Sequence, residues 1–396
     1  MNTELYISWR YLFTRRKEKF IWLISAISVA GVAIGVAALI VVIAVMSGFD
    51  RDLHDKIVGN YSHITISGLR PISMQEYGRI AGIISGRPHV SAASPYIQGQ
   101  ALVKEGERFF AVGLRGIDPQ QEARVTKVKD NLVSGGLEGL DNQGVIIGKE
   151  LANYMGLRLG SGLKLYSPQG KAYELKVKGI FSSGMYDYDM NLVFASLPLS
   201  QEIFSLAGQI TNIAVKLDNP RLASAARDDL NKAIGFEYAL KTWQEANRNF
   251  FAALELEKIT MFIILALITL VASFNIASAL IVMVVEKTKD VGTLRALGMT
   301  AGQVRKIFTC EGMLIGALGV SFGTGAGLAL CLLLKKYQFI RLPQDIYYID
   351  RLPVAVRLWP DLALIVASAA LIVLLSTVYP AARAARLEPA EALRYE

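Results

Sequence analysis

Histidine and cysteine are both scarce in this chain of 396 residues, with three of one and two of the other. His54, His63 and His89 stand far apart and match no metal-ligand spacing, which favours structural roles over ligation. Cys310 and Cys331 fall at or within one apolar stretch and leave residues 50–258 with none. That region must fold without disulfides, even in a compartment that permits them. No Gly-x-Ser-x-Gly nucleophile elbow occurs, and no pairing of carboxylates with histidine marks a catalytic pocket. Neither catalytic residues nor a metal site are expected.

Charge is thin as well, at 19 % of residues against 53 % hydrophobic. The shortage is concentrated in four charge-free runs, residues 20–49, 259–285, 312–334 and 362–382. Each reaches the roughly 20 residues needed to cross a hydrocarbon core. The first run has the basic flank of a signal peptide, but it is far longer than the about 7–15 apolar residues of a signal core and reads as a retained helix. The sequence therefore predicts a membrane protein of four transmembrane α-helices, with a large α+β domain inserted between the first and second.

Orientation follows from Lys and Arg near the helix ends. Arg10, Arg15, Arg16, Lys17 and Lys19 precede the first span, and Arg383, Arg386 and Arg394 follow the last, which puts both termini in the cytoplasm. The two short loops carry equal numbers of cations and decide nothing. The net charge of +8 is then membrane-topology charge, and no nucleic-acid partner is expected.

The segments divide accordingly. Residues 1–19 form a cytoplasmic amphipathic segment, with Leu5, Trp9 and Leu12 spaced for a helix in the headgroup region. Residues 50–242 form the exported domain, 243–258 a stalk helix, 286–311 a cytoplasmic loop, 335–361 an outer loop and 383–396 a cytoplasmic tail. Phe49, Leu53 and Ile57 recur at helical period beyond the first span. No Pro or Gly falls between Trp243 and Val291, which predicts one unbroken rod about 70 Å long. Strands are expected at 63–67, 108–113, 144–147, 163–166, 172–181, 192–195, 212–217 and 238–242. Helices are expected at 74–84, 149–155, 200–206 with Ser200 as N-cap, and 222–233.

Two motifs carry chemistry. Gly144-Val-Ile-Ile-Gly148-Lys149-Glu150 approaches a phosphate-binding loop but lacks one residue between the glycines and has Glu150 where a magnesium-holding hydroxyl belongs. The chain thus offers no ATP site, and any ATP and Mg must sit on another subunit. The cytoplasmic loop is richer: Val291, Leu294 and Leu297 make an apolar face beside charged Lys289, Asp290 and Arg295, with Gly298 as a helix stop. A short helix of this kind suits docking into another protein. Within the spans, Gly31 and Gly35, Gly312 and Gly316, and Gly319, Gly323 and Gly327 are each four apart, which allows close helix approach. Ser273 and Asn275 should face protein rather than lipid.

At Phe274-Asn275-Ile276, Glu286-Lys287 and Asp290 through Gly298, the chain resembles the coupling segment of the LolC/LolE lipoprotein-releasing permeases. These belong to the MacB/FtsX-like group of ABC transporter subunits. Val45 through Phe49, Tyr379-Pro380-Ala381 with Arg383, and Pro389 through Glu396 resemble the same family. The resemblance implies a MacB-like permease fold in the bacterial inner membrane with a periplasmic domain. It implies a pair of ABC ATPase subunits, a second permease subunit (homologous or identical), triacylated lipoproteins as cargo, and a periplasmic lipoprotein carrier. The ATPase-coupling residues would be Glu286, Lys287, Asp290, Val291, Leu294, Arg295, Leu297, Gly298 and Met299. The lipid cavity would be lined by Val42, Val45, Met46, Phe49, Phe251, Leu254, Ile259, Phe262 and Ile263. In LolC-type members a long loop between two strands catches the carrier, whereas the matching stretch here is a short turn with Pro168, Gln169, Gly170 and Lys171. Asp345 through Asp350 looks more like LolE-type members. Within the group, a MacB-like efflux permease or an FtsX-like regulator of cell-wall hydrolases are the rival readings. A membrane-tethered enzyme or receptor is the rival of another class.

Overall fold

The computed structural model describes Tyr6, Ser8 and residues 19–105, 108–338 and 351–386. It falls into two units. One comprises Met1–Arg51, Leu254–Ile340 and Leu352–Glu396, and the other Asp52–Ala253 with Arg341–Arg351.

In chain order the first helix is α1 (Lys19–Asn60), followed by β1 (Ile64–Ser73), α2 (Met74–Ser85), β2 (Val90–Glu105), β3 (Arg108–Ile117) and α3 (Pro119–Val125). Then come β4 (Leu132–Gly135), β5 (Gly144–Gly148), α4 (Lys149–Tyr154), β6 (Gly162–Tyr166), β7 (Ala172–Phe181), α5 (Tyr186–Asn191), β8 (Leu192–Ser196) and α6 (Leu197–Ile203). The domain closes with β9 (Gln209–Leu217), α7 (Ala223–Ile234), β10 (Tyr238–Thr242) and the short α8 (Trp243–Ala246). The chain returns through α9 (Arg248–Glu286), α10 (Thr288–Ala296), α11 (Ala301–Tyr337) and α12 (Ala363–Ala385).

In the membrane unit, three described helices are long and apolar enough to cross a bilayer by themselves: Trp22–Asn60, Ala301–Tyr337 and Ala363–Ala385. A fourth candidate span is the bent pair Leu270–Glu286 and Thr288–Ala296. Helices are the economical solution there, since hydrocarbon offers no partner to an unpaired peptide group. Val32, Val36 and Ile40 of α1 pack with Ile276, Leu280 and Met283 of α9, Ile315 of α11 and Val373 of α12. The glycines explain the spacing. A Cβ at Gly312 or Gly316 would strike Thr377 or Val373 of α12, and one at Gly319 or Gly323 would strike Val32 or the Ala33 carbonyl of α1. The same helix thus uses the upper and lower parts of one glycine face for two different neighbours. Ser273 shares a hydrogen bond with Ser376 at 2.9 Å, and the Asn275 amide lies over Gly31, so both polar groups face protein.

Residues 352–357 form a segment without regular secondary structure before α12. The Ala355 amide donates to the Ala44 carbonyl of α1 at 2.9 Å, and Ser47 donates to Asp361 Oδ2 at 2.9 Å. Gly48 is needed at this crossing, because a Cβ there would fall 2.5 Å from the Pro353 carbonyl oxygen.

The inserted domain is built on one ten-stranded sheet in the order β10-β1-β9-β2-β3-β8-β5-β7-β4, with β6 bridging β2 and β7. The 16-residue β2 is the shared strand. Its first half pairs with β9 and its second half with β6, and β3 runs along it from Tyr96 onward. One apolar core gathers Ile64, Ile66, Ile80, Ile213 and Leu230, and a second gathers Val103, Leu114, Ile147, Leu165 and Val177. A third, around Phe181 and Phe194, surrounds a buried ion pair. Arg115 Nη2 lies 2.8 Å from Glu122 Oε1, and the guanidinium sits 4.0 Å over the Tyr96 ring. The Tyr188 hydroxyl donates to the Asn60 carbonyl at 3.3 Å and Asn131 Nδ2 to Asn60 Oδ1 at 2.5 Å, which fastens the last residue of α1 within the domain.

Several details differ from the sequence-based expectation. The rod is not continuous from Trp243 to Val291. Asn247 ends α8, a new helix begins at Arg248, and Lys287 interrupts the other end, leaving 39 residues or about 59 Å. The helix predicted at 200–206 is α6, and its cap is Ser196, whose hydroxyl accepts from the Leu199 amide at 3.3 Å. Ser200 is fully buried within it. Of the amphipathic segment 1–19, only Tyr6, Ser8 and Lys19 are described. Ser8 is buried and donates to the Ile307 carbonyl at 2.9 Å, so this position meets protein. The motifs at 345–350 and 389–396 lie outside the described residues.

Candidate functional site

The segment expected to couple to an ATPase is an elbow. Helix α9 runs into α10 at an angle of 61° with Lys287 between them. The backbone ladder is nearly unbroken, since Lys287 donates to Met283 at 3.0 Å and Val291 to the Lys287 carbonyl at 2.9 Å. The far end is closed as firmly. Met299 donates to Leu294 and Gly298 to Arg295, both at 3.0 Å, with Gly298 at φ 98°. This is the paired hydrogen bonding of a helix stopped by a left-handed glycine. Thr300 and Gln303 then cap α11 reciprocally, a pattern that satisfies two orphan amides.

These constraints decide which side chains face outward. Val291 is 1 % exposed, packed with Val284, Val304, Phe308, Ala381 and Ala384. It anchors the elbow from within, so the apolar stripe Val291–Leu294–Leu297 does not form one outer face. Leu297 is 81 % exposed, Leu294, Arg295 and Met299 are half-buried, and Glu286, Lys289, Asp290 and Gly298 are exposed. Lys287 is buried, 3.3 Å from Asp290. Lys289, exposed next to Asp290, has the same chemistry as its neighbours and is missing from the sequence-based set.

The expected cavity residues divide between the units. Val42, Val45, Met46 and Phe49 of α1 and Leu254 of α9 are half-buried. Ile259 and Ile263 are 54 % and 53 % exposed, on a helix whose Leu256, Leu267, Val271 and Phe274 are also exposed. The side chain of Phe262 lies outside the described ones. Phe251 belongs elsewhere. It stacks edge-on to Trp243 at 5.3 Å inside the inserted domain, and Trp243 in turn meets His54 at 5.1 Å. Aromatic residues flanking a span were legible in the sequence, but the partner ring at Trp243 that withdraws Phe251 was not.

The turn at 167–171 is tight. Ser167 donates to the Lys171 carbonyl and Gly170 to the Ser167 carbonyl, both at 2.9 Å, and Gly170 takes φ 84°. Pro168, Gln169 and Gly170 are exposed. Lys171 is held by Glu202 at 2.9 Å and lies over the Tyr173 ring at 4.7 Å; the Glu202 hydrogen bond raises its pKa. Beside the turn, Leu102, Phe109, Ala111, Tyr166 and Pro168 line an open cleft of about 600 Å³. The near phosphate loop is no cradle. Gly144–Gly148 is a fully buried strand, and a Cβ at Gly148 would collide with the Asp189 backbone.

Comparison with known proteins matches this layout. The family described as MacB-like periplasmic core domain covers residues 25–233, and the FtsX-like permease C-terminal family covers 262–389. The lipoprotein-releasing system transmembrane protein LolC of Xylella fastidiosa strain Temecula1 is 33 % identical over 409 residues, 98 % of both chains. The LolC of Neisseria meningitidis serogroup B is 32 % identical over the full length of both. The LolE of Haemophilus influenzae is 29 % identical over 99 % of both. The protein is a multi-pass inner-membrane permease, and the chain belongs to the LolC/LolE family of lipoprotein-releasing, MacB-like transmembrane proteins.

Proposed function

We infer that the chain is the permease subunit of an ATP-driven complex that extracts outer-membrane-destined lipoproteins and passes them to a periplasmic carrier. The observation that carries this reading is the coupling elbow. It is a short helix braced from inside by Val291, with Lys289 and Asp290 exposed in its first turn and Leu297 exposed at its far end. A short helix that shows water both an apolar side chain and charged ones has the mixed chemistry of a protein contact. The occupant is a separate ATPase subunit that binds ATP and Mg. Extraction of acyl chains needs such a source, since each lipid methylene withdrawn from the bilayer costs about 0.8 kcal/mol.

A second permease subunit, homologous or identical, completes the complex. The exposed apolar side of α9, from Leu256 to Phe274, supports a role as the wall against which lipid and cargo lie. The basic flank before α1 supports cytoplasmic termini and an outer position for the inserted domain. The cleft beside Pro168, with Leu102 and Phe109 exposed on its wall, supports a carrier contact reaching beyond the turn itself.

The test is a pull-down. Leu294→Glu combined with Leu297→Glu should abolish recovery of the ATPase while membrane insertion stays intact. Full recovery of the ATPase would remove the docking assignment.

A further inference from the structure

Docking at the elbow and cargo along α9 leave one concave surface of the membrane unit without a role. An apolar groove of about 340 Å³ runs between α1 and α11, lined by Trp22, Ala26, Ala30 and Ala33 from one helix and by Leu318 and Phe322 from the other. The two aromatic rings are its walls, 53 % and 64 % exposed. The alanines recur on one face of α1 and form the trough between them. Ser25, at its edge, turns its hydroxyl inward to the Met283 sulfur at 3.6 Å. All the described lining residues belong to α1 and α11, so the groove is separate from the exposed side of α9.

Glycines fix the direction of the groove. Gly319 of α11 lies against Val32 of α1, and Gly327 lies against Ile40, so the two helices run side by side in the same sense. Ile307 is as far before Gly319 as Phe20 is before Val32, and it stands level with the start of α1. Ser8 donates to the Ile307 carbonyl, and Lys19 opens α1. Between these two fixed points the sequence holds Arg10, Arg15, Arg16 and Lys17. The mouth of the groove, at Trp22, is within one helical turn of Lys19. An exposed tryptophan beside cations is the ordinary residue of a membrane–water boundary. From Trp22 to Ala33 the groove is about 16 Å long, close to half of a hydrocarbon core of roughly 30 Å.

Such a groove, one leaflet deep and with cations at its mouth, fits a ligand that is apolar along its length and negative at its head. Over its length the volume gives a cross-section on the order of 20 Å², which suits a hydrocarbon chain and falls well short of a helix about 10 Å across. Basic segments beside a span attract anionic lipid headgroups. We propose that the groove between α1 and α11 holds one acyl chain of an anionic phospholipid, drawn from the leaflet on the Lys19 side, with its headgroup at the cations that precede Trp22. The proposal does not need the ATPase reading; only the naming of that leaflet as the inner one rests on the cytoplasmic position of the termini.

The full chain in mild detergent, incubated with equal amounts of phosphatidylglycerol and phosphatidylcholine, can be weighed by native mass spectrometry. The parent should retain a phosphatidylglycerol, preferred roughly fivefold over phosphatidylcholine. Ala30→Phe, which fills the trough at an exposed position, should lose that lipid. Phe322→Ala should lose it too, by removing a wall without adding bulk. Leu375→Phe, on an exposed position of α12, should keep it. Lys17→Gln with Lys19→Gln leaves Arg10, Arg15 and Arg16 to set topology, and should retain a lipid but weigh the two headgroups equally. Equal retention by the parent, Ala30→Phe and Phe322→Ala overturns the proposal, and so does an equal loss in Leu375→Phe. A parent without headgroup preference overturns it as well. If the species that Ala30→Phe releases has the mass of a second chain, the groove is a subunit contact. If a triacylated lipopeptide displaces the phosphatidylglycerol from the parent, the groove belongs to cargo. Either result overturns the assignment to a membrane phospholipid.

Discussion

The inserted domain and the membrane unit solve the same packing problem for opposite solvents. In the domain, large side chains are hidden and strands alternate; β7 reads exposed and buried along its length, with Leu175, Val177 and Phe181 inside. In the membrane unit, large apolar side chains such as Ile34, Val271, Phe274 and Leu364 are 64–70 % exposed, and the interior is made close by glycines. Water drives the first arrangement by the burial of apolar area. Hydrocarbon gives no such drive between helices, so contact there depends on how near the backbones can come. The buried charges differ correspondingly. The domain encloses Arg115 and Glu122 in direct contact, with the Tyr96 ring against the guanidinium, whereas the buried Lys287 of the membrane unit pairs with the exposed Asp290.

The contrast can be broken most severely at the ion pair. Glu122→Ala leaves Arg115 buried without its partner and should cost about 3–5 kcal/mol, read as a loss of most of the domain's resistance to urea or to protease. Replacing both by apolar residues should recover much of that loss. Next in size is Gly316→Leu, which forces a side chain into Val373. Overpacking of this kind costs about 1–3 kcal/mol and should lower the melting temperature of the detergent-solubilised chain while leaving urea unfolding of the domain unchanged. Equal effects on both units would show that they do not unfold separately.

The smallest effect is a pH dependence confined to the domain. His63 is buried and its Nδ1 accepts from the Leu217 amide at 3.0 Å, a bond that requires the neutral ring. Burial, followed by Lys216, lowers its pKa below the usual 6.5. The unfolded chain therefore takes up the proton first as pH falls, so His63 withdraws stability below about pH 6.5 and has no effect well above it. Thermal unfolding between pH 7.5 and 5 should show a stability decrease that His63→Gln removes. An unchanged slope in that variant would place the titration elsewhere.

What the sequence disclosed follows the same division. Charge-free runs and glycine spacing located the helices and the face of α11 because these are one-residue patterns that lipid imposes directly. Alternation found β7 and β10 to the residue. It missed β2 (Val90–Glu105), whose Ala92, Ala93, Ser94, Pro95, Gly99 and Gln100 are neither β-branched nor aromatic. Only the fold shows why they stand there. Gly99 makes room for the Phe204 ring, and the Thr211 hydroxyl accepts from the Gln98 amide at 2.9 Å. Leu297 was legible in the coupling segment. The inward turn of Val291 was not, because nothing local indicates that Ala381 and Ala384 of α12 wait opposite.

One consequence follows from the stack of His54, Trp243 and Phe251. The chain enters and leaves the inserted domain at the same aromatic contact, with Ile64 also paired to Thr242 across β1 and β10. Entry and exit points lying side by side are the condition for transplanting a module without disturbing its host. Excised between Asp52 and Ala253, the domain should fold by itself. A relative's domain grafted at those two positions should be accepted by the helices of the membrane unit, so that the two units could be exchanged independently among members of the family.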